Sequence, residues 1–66
     1  MENRITVIRA EKKMSQEELA KLAGISRVTL SKIENCKTKP DFDTLVKLVS
    51  ALNTPANRIF FDLDVV

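Results

Sequence analysis

Two helix boundaries only two residues apart, at Gly24 and Ser26, constrain the fold of this chain more than any other feature. Apolar residues recur at helical spacing in the segments 15–23 and 27–34, so each segment predicts an amphipathic helix. Gly24 ends the first helix, because glycine adopts the positive φ that follows many helices at low cost. Ser26 begins the second helix, since its side chain can accept a hydrogen bond from a free N–H group of the first turn. The sequence therefore predicts two short helices joined by a tight turn.

The side chains of these two segments fit the same arrangement. Ser15 and Glu18 have the spacing of a capping box, which places the first helix start at Ser15. Ala20 is small, as is needed where two helices cross closely. The apolar face of the first helix is predicted to contain Leu19, Ala20, Leu22 and Ala23, and the core-facing residues that follow are Ile25, Leu30 and Ile33. A generic pair of antiparallel helices is the alternative interpretation.

Three further helices are predicted outside this segment. One covers about residues 3–13, with Ile5 and Ile8 on one face, and Met14 closes its end. Another is capped by Asp41 or Asp43 and carries an apolar stripe of Phe42, Leu45, Leu48, Val49 and Leu52. A short fifth helix, through Ile59 and Phe60, follows Thr54 as cap and Pro55 as first helical residue.

The tail, residues 61–66, has a different pattern, because Phe61, Leu63 and Val65 alternate with Asp62 and Asp64. Alternation with period two is typical of a strand, and a strand needs a partner for its backbone groups. That partner is either the segment before the first helix or the same strand of a second subunit. We therefore expect an all-α, five-helix domain over residues 1–60, followed by a tail that forms a short C-terminal β-strand.

Composition limits the function classes. The chain has 66 residues, enough for one domain, with one cysteine and no histidine. A lone cysteine forms no disulfide within the chain and, without histidine, no Cys/His zinc site, so we expect a reducing, cytoplasmic setting, no metal and no cofactor. No apolar run approaches 18 residues and no leader pattern is present, so we expect neither a membrane span nor a signal peptide. The chain has no phosphate-cradling glycine loop and no clustered carboxylates, and we expect no enzyme activity.

Charge is unevenly distributed along the chain. Residues 1–40 contain nine Lys/Arg and five Asp/Glu, whereas residues 41–66 contain two and four. A basic first half favours a polyanion as partner, most commonly nucleic acid. A solvated charged surface without a partner is the other interpretation.

The two-helix segment resembles the helix-turn-helix of the Cro/repressor type, also called the xenobiotic-response-element type. The residues that carry the resemblance are Arg9, residues 14–20 (MSQEELA), 23–26 (AGIS) and 29–35 (TLSKIEN), Pro40, and Leu45 to Leu52. The resemblance covers about residues 4–60 and implies a lambda-repressor-like, five-helix domain that binds DNA, usually as a two-fold dimer. The end of the chain is similar to that of minimal repressors of Gram-positive bacteria and their phages.

This resemblance divides the second helix of the pair by role. If Leu30 and Ile33 face the core, the residues that project toward DNA bases are Arg27, Val28, Ser31 and Lys32. Arg27 and Lys32 suit guanine acceptors, and Val28 suits a thymine methyl group. The residues expected to contact phosphate are Gln16, Ser26, Thr29, Asn35, Lys37 and Lys39. The alternatives are solvated charges for Arg27 and Lys32, partial core packing for Val28, and a purely helix-ending role for Asn35.

Other positions are interpreted as architecture. The resemblance implies an ion pair between Arg9 and Glu34 that links the first helix to the end of the third. Lys13 and Cys36 stand at helix ends where the family often has glycine, which predicts positive φ at a cost of roughly 1 kcal/mol each. Cys36 is either a tolerated substitution or a redox switch near DNA.

A single module of this size contacts about one half-site, which favours a homodimer on an inverted repeat. The predicted dimer interface consists of Arg58, Phe60, Phe61, Leu63 and Val65, because this end of the chain is unusually apolar. The sequence predicts a transcriptional repressor with double-stranded DNA as its partner and without a small-molecule ligand. A protein-interaction module and an antitoxin that represses its own operon are the alternative functions.

Overall fold

Five α-helices follow one another in the computed structural model, which describes residues 3–60. They are α1 (Ile5–Glu11), α2 (Gln16–Ala23), α3 (Arg27–Glu34), α4 (Phe42–Leu52) and α5 (Ala56–Ile59). Helix α2 lies between α3 and α4 and packs against both, while α5 packs against α4. The predicted all-α, five-helix fold is confirmed. The longest of these helices has 11 residues, and none of them could span a membrane.

The helices α1 to α4 are each followed by a residue in the left-handed region, and only one of the four is glycine. After α3, Cys36 has φ of 60°, and its N–H donates to the carbonyl of Ile33 at 3.0 Å. The N–H of Lys37 donates to the carbonyl of Lys32 at 2.8 Å, which completes the paired hydrogen bonds of a Schellman ending. The others are Lys13 (φ 54°), Gly24 (φ 71°) and Asn53 (φ 51°). The positive φ predicted for Lys13, Gly24 and Cys36 is confirmed, whereas that of Asn53 was not predicted.

Side-chain caps begin α2, α3 and α4. The Ser15–Glu18 capping box is complete, and hydrogen bonds from Ser15, chiefly from its backbone N–H, hold the pKa of Glu18 below its ordinary value. Of the two candidates for α4, Asp41 is the cap; hydrogen bonds from Thr44 lower its pKa. The prediction that Thr54 caps α5 is wrong.

The hydroxyl of Thr54 donates instead to the carbonyl of Leu52 at 2.9 Å, at the end of α4. The residue that precedes α5 is Pro55, in extended conformation and without a side-chain cap. The hydroxyl of Thr54 therefore helps to end α4 and does not cap α5. Helix α5 begins at Ala56, one residue later than predicted.

Among residues 3–60, the residues that are buried as a whole are all apolar, and this core draws on all five helices. Two residues that the sequence assigned to apolar faces are exposed. Phe42, the first residue of α4, is 80% exposed. Leu22 lies outside the arc of α2 that holds the buried Leu19 and Ala23, and it faces solvent.

Phe60 corrects the predicted dimer interface. Its side chain is 1% exposed and belongs to the core of the single chain, so it is not available to contact a second copy. Its backbone forms an antiparallel bridge with Asn3, and the N–H of Arg4 donates to the carbonyl of Ile59 at 2.8 Å. The predicted strand over residues 61–66, with Phe61, Leu63 and Val65, lies outside the described residues.

Candidate nucleic-acid interface

Helix α3 has one buried side and one open side. Leu30 and Ile33 are buried, as predicted, and they fix the rotation of the helix on the core. Arg27 and Lys32 are exposed on the other side, where Ser31 is half-buried; Val28 is 64% exposed, which excludes the core-packing alternative for this residue. The four predicted base-contacting residues therefore belong to a surface that the core leaves open.

The first residue of α2 contacts the first residue of α3. The Nε atom of Arg27 donates to Oε1 of Gln16 over 3.4 Å, a long hydrogen bond. This contact uses Nε, and the four hydrogens of the two terminal nitrogens have no acceptor among the residues that the structure describes. The sequence did not predict it, because residues 11 apart in the chain meet here only through the crossing of the two helices.

The start of α3 carries a pair of hydroxyl groups. Oγ of Ser26 accepts a hydrogen bond from the N–H of Thr29 at 3.0 Å and donates to Oγ1 of Thr29 at 2.8 Å. Because Thr29 accepts from Ser26, its own hydroxyl hydrogen remains available to an acceptor. A free donor beside the N–H groups of a helix start is well placed for an anion such as phosphate.

The end of α3 is held by Asn35. Its Nδ2 donates to the carbonyl of Ser31 at 2.9 Å, which is the helix-ending role that the sequence had left open. The same nitrogen also donates to Oγ of Ser31 over 3.4 Å, so the amide is engaged within α3, and the phosphate contact of Asn35 stays a prediction. Lys37 and Lys39 follow in the loop, both exposed, and extend the positive charge of α3. The cysteine of this loop, Cys36, is also exposed, with a free thiol.

An ion pair joins the end of α3 to α1. Arg9 donates from Nε to Oε2 of Glu34 at 2.9 Å and from Nη2 to Oε1 at 3.0 Å. The side chains of Arg9 and Glu34 are 16% and 5% exposed, so water screens this pair only weakly. The pair implied by the sequence resemblance is thus present, and it fixes α3 relative to the body of the domain.

Two further residues hold this end of α3, and neither was predicted. Oγ1 of Thr6 donates to Oε1 of Glu34 at 3.0 Å. Nδ2 of Asn3 donates to the carbonyl of Ile33 at 2.8 Å, while Oδ1 of Asn3 accepts from the N–H of Ile5. An asparagine just before an apolar helix is a known capping signal, but its partner 30 residues away has no signature in the sequence.

The arrangement of these groups suits the binding of a nucleic acid. Within the described part of the chain, no three His, Cys, Asp or Glu side chains are placed to hold a metal ion. The open face instead carries hydrogen-bond donors and positive charge, at the start, middle and end of one helix. Such a row is complementary to base edges flanked by phosphates.

Comparisons with known proteins agree with this geometry. A family model described as helix-turn-helix matches residues 6–59. A curated protein from Archaeoglobus fulgidus, described as an uncharacterised HTH-type transcriptional regulator, is 37% identical over 60 residues, which is 91% of this chain and 84% of that protein.

Two solved structures are similar in both fold and sequence. The restriction-modification controller protein C.AhdI from Aeromonas hydrophila superposes with a TM-score of 0.80 and 30% identity, over 86% of each chain. SinR, a master regulator for biofilm formation whose structure was determined in complex with DNA, has a TM-score of 0.74 and 38% identity, over 82% of this chain and 87% of its own.

Proposed function

This chain belongs to the helix-turn-helix family of DNA-binding transcriptional regulators, and we propose that it is a homodimeric repressor that binds an inverted-repeat operator. The observation that carries the proposal is the open side of α3, where exposed polar and cationic side chains stand on a helix whose other side is fixed in the core. A helix held in this way enters the major groove as a rigid unit.

Base reading is assigned to four residues of α3. Arg27, at the start of the helix, donates to O6 and N7 of a guanine, and its contact with Gln16 limits the conformations it must lose on binding. Val28 packs against a thymine methyl group. Lys32 donates to a guanine acceptor one turn later, and Ser31 is a less selective hydrogen-bonding group.

Phosphate contacts are assigned to residues at both ends of α3 and at the start of α2. They fix the register of the protein on the duplex and carry no sequence information of their own. The free hydroxyl hydrogen of Thr29 supports this assignment for that residue, and charge supports it for the loop lysines. The full set is Gln16, Ser26, Thr29, Asn35, Lys37 and Lys39.

Dimerisation is assigned to Arg58 and the apolar tail residues Phe61, Leu63 and Val65. Two copies place two α3 helices about 34 Å apart, one helical turn of DNA. Since one copy reads too few base pairs for selective binding in a genome, the second copy supplies the missing specificity. Removing residues 61–66 is therefore expected to weaken both dimerisation and operator affinity, and a truncated chain with unchanged sedimentation and affinity contradicts this assignment.

Selection from random duplex oligonucleotides, followed by a salt titration on the selected site, tests the proposal. We expect an inverted repeat and a steep negative slope of log affinity against log salt, because each neutralised phosphate releases counterions. A flat slope without a consensus sequence would instead indicate a protein-interaction module, and the proposal would be wrong.

Three variants separate the assigned roles. Arg27→Ala should cost about 1–3 kcal/mol on the selected site and relax the preference at one base pair, with little effect on random DNA. Lys37→Ala should weaken binding to both duplexes and reduce the salt slope by about one. Lys47→Ala is the matched control, since it removes the same charge from an exposed position of α4 that is not among the assigned contacts. Equal effects of the three variants would refute these assignments.

A further inference from the structure

A cleft of about 450 Å³ lies between α1 and α5, apart from the surface described above. Its volume is in the range of cavities that bind small ligands or short peptide segments. The wall on the α1 side is formed by residues one and two helical turns apart, and the opposite wall comes from α5. The residues that line it include Arg4, Val7, Ile8, Glu11, Lys12 and Arg58.

The cleft opens on the side of α1 opposite to α3. Arg4, Val7 and Glu11 recur at helical spacing on one side of α1, whereas Thr6 and Arg9 point to Glu34 at the end of α3. At about 100° per residue, the two sets lie on opposite sides of the helix. A protein whose α3 occupies a DNA groove therefore keeps this cleft accessible.

The charge of the cleft is positive. Arg4, Lys12 and Arg58 line it together with a single carboxylate, that of Glu11. Among the residues that the structure describes, neither Lys12 nor Arg58 takes part in a salt bridge. Val7 is 54% exposed and adds an apolar surface to the same wall. The cleft thus offers cations and an apolar side chain within one short groove, which suits a segment of mixed acidic and apolar residues.

We propose that this cleft binds residues 61–66 of a second copy of the chain, so that each copy of the dimer receives the tail of the other. This inference rests on the dimer of the proposed function and names the contact that forms it. Asp62 and Asp64 supply the acidic groups, and Phe61, Leu63 and Val65 supply the apolar ones. In extended conformation, the four steps from Phe61 to Val65 would cover about 13 Å, close to the roughly 12 Å that separate Arg4 from Lys12 along α1.

The direction of the chain at Phe60 favours the second copy over the chain's own cleft. At the bridge between Phe60 and Asn3, the backbone of Phe60 runs antiparallel to that of Asn3 and therefore away from α1. The cleft extends the other way, from Arg4 toward Lys12. In a reciprocal exchange, the tail of each copy occupies the cleft of the other. Both clefts are then filled, and the two copies form a closed two-fold dimer.

Charge reversal on the full-length chain tests the proposal. One variant reverses the cleft (Lys12→Glu with Arg58→Glu), and another reverses the tail (Asp62→Lys with Asp64→Lys). Each variant alone is expected to dimerise at least tenfold more weakly than the wild type in sedimentation equilibrium without DNA, since like charges meet at both clefts. Lys21→Glu with Lys47→Glu is the control for net charge and should leave the dimer unchanged. Circular dichroism and thermal melting establish that every variant is folded.

Mixing the two reversed variants is the decisive measurement. In a mixed dimer, the reversed cleft meets the reversed tail and the natural cleft meets the natural tail, so heterodimers should form with an affinity within a few-fold of the wild type. A tail that binds its own cleft cannot be rescued by mixing. A mixture that remains monomeric, or a wild-type chain that is monomeric at every concentration, overturns the proposal, whether or not the chain binds an operator. Because no DNA is present, a failure to find an operator leaves this result intact.

Discussion

Replacing Arg9 with alanine is expected to cost the domain a large part of its stability. The substitution deletes two charge-assisted hydrogen bonds to Glu34 and a third, at 3.1 Å, to the carbonyl of Met14. It leaves a carboxylate that is 5% exposed, with Thr6 as its remaining donor. Breaking one side of a buried ion pair typically costs 3–5 kcal/mol, and we expect about 3 kcal/mol because the bond from Thr6 is kept.

Glu34→Ala should cost less, about 2 kcal/mol. The side chain of Arg9 is long enough to bring its charge closer to water, and its Nη1 keeps the hydrogen bond to the carbonyl of Met14. A chain of this length has a total stability of about 3–10 kcal/mol, so Arg9→Ala is expected to remove between about a third and all of it.

Urea denaturation followed by circular dichroism measures both losses. Arg9→Ala is measured in a chain that also carries Lys13→Gly. Glycine at position 13 removes the cost of the positive φ, and the added stability allows the unfolding transition to be fitted. Lys47→Ala is the control, since its pair with Asp43 is solvent-exposed and should be worth less than about 0.5 kcal/mol. A loss below 1 kcal/mol for Arg9→Ala, or a larger loss for Glu34→Ala, would refute the argument.

Three other predictions concern single positions. Cys36→Gly should raise the free energy of unfolding by about 1 kcal/mol in the same urea experiment, because glycine removes the cost of a positive φ. Phe42→Ser should change it by less than about 0.5 kcal/mol, whereas Leu48→Ala should cost about 2–5 kcal/mol; equal effects would contradict the assignment of the core. The hydrogen bond from Ser15 lowers the folded-state pKa of Glu18, so its contribution is complete above pH 4.5 and is lost as the pH falls through the lowered value. The difference in melting temperature between the wild type and Glu18→Gln should therefore shrink with acidification below pH 4.5, and a constant difference would disprove the linkage.

The sequence alone determined the features that depend on neighbours within one helical turn. The caps at Ser15 and Ser26, the stop at Gly24 and the positive φ at Cys36 were all predicted, since each is set by hydrogen bonds between residues at most five apart. The buried side of α3 followed from its periodicity, and so did the open side. The Arg9–Glu34 pair was available only through the family resemblance.

Tertiary structure decided which apolar side chains are covered and which distant polar groups meet. Phe42 and Phe60 are the same amino acid, yet Phe42 is exposed at the start of α4 and Phe60 is buried in the core. Asn3 reaches the end of α3, and Gln16 reaches Arg27, because the crossing of helices brings their ends together. Burial and long-range hydrogen bonds depend on how whole helices are placed, and periodicity within one helix carries no information about that placement.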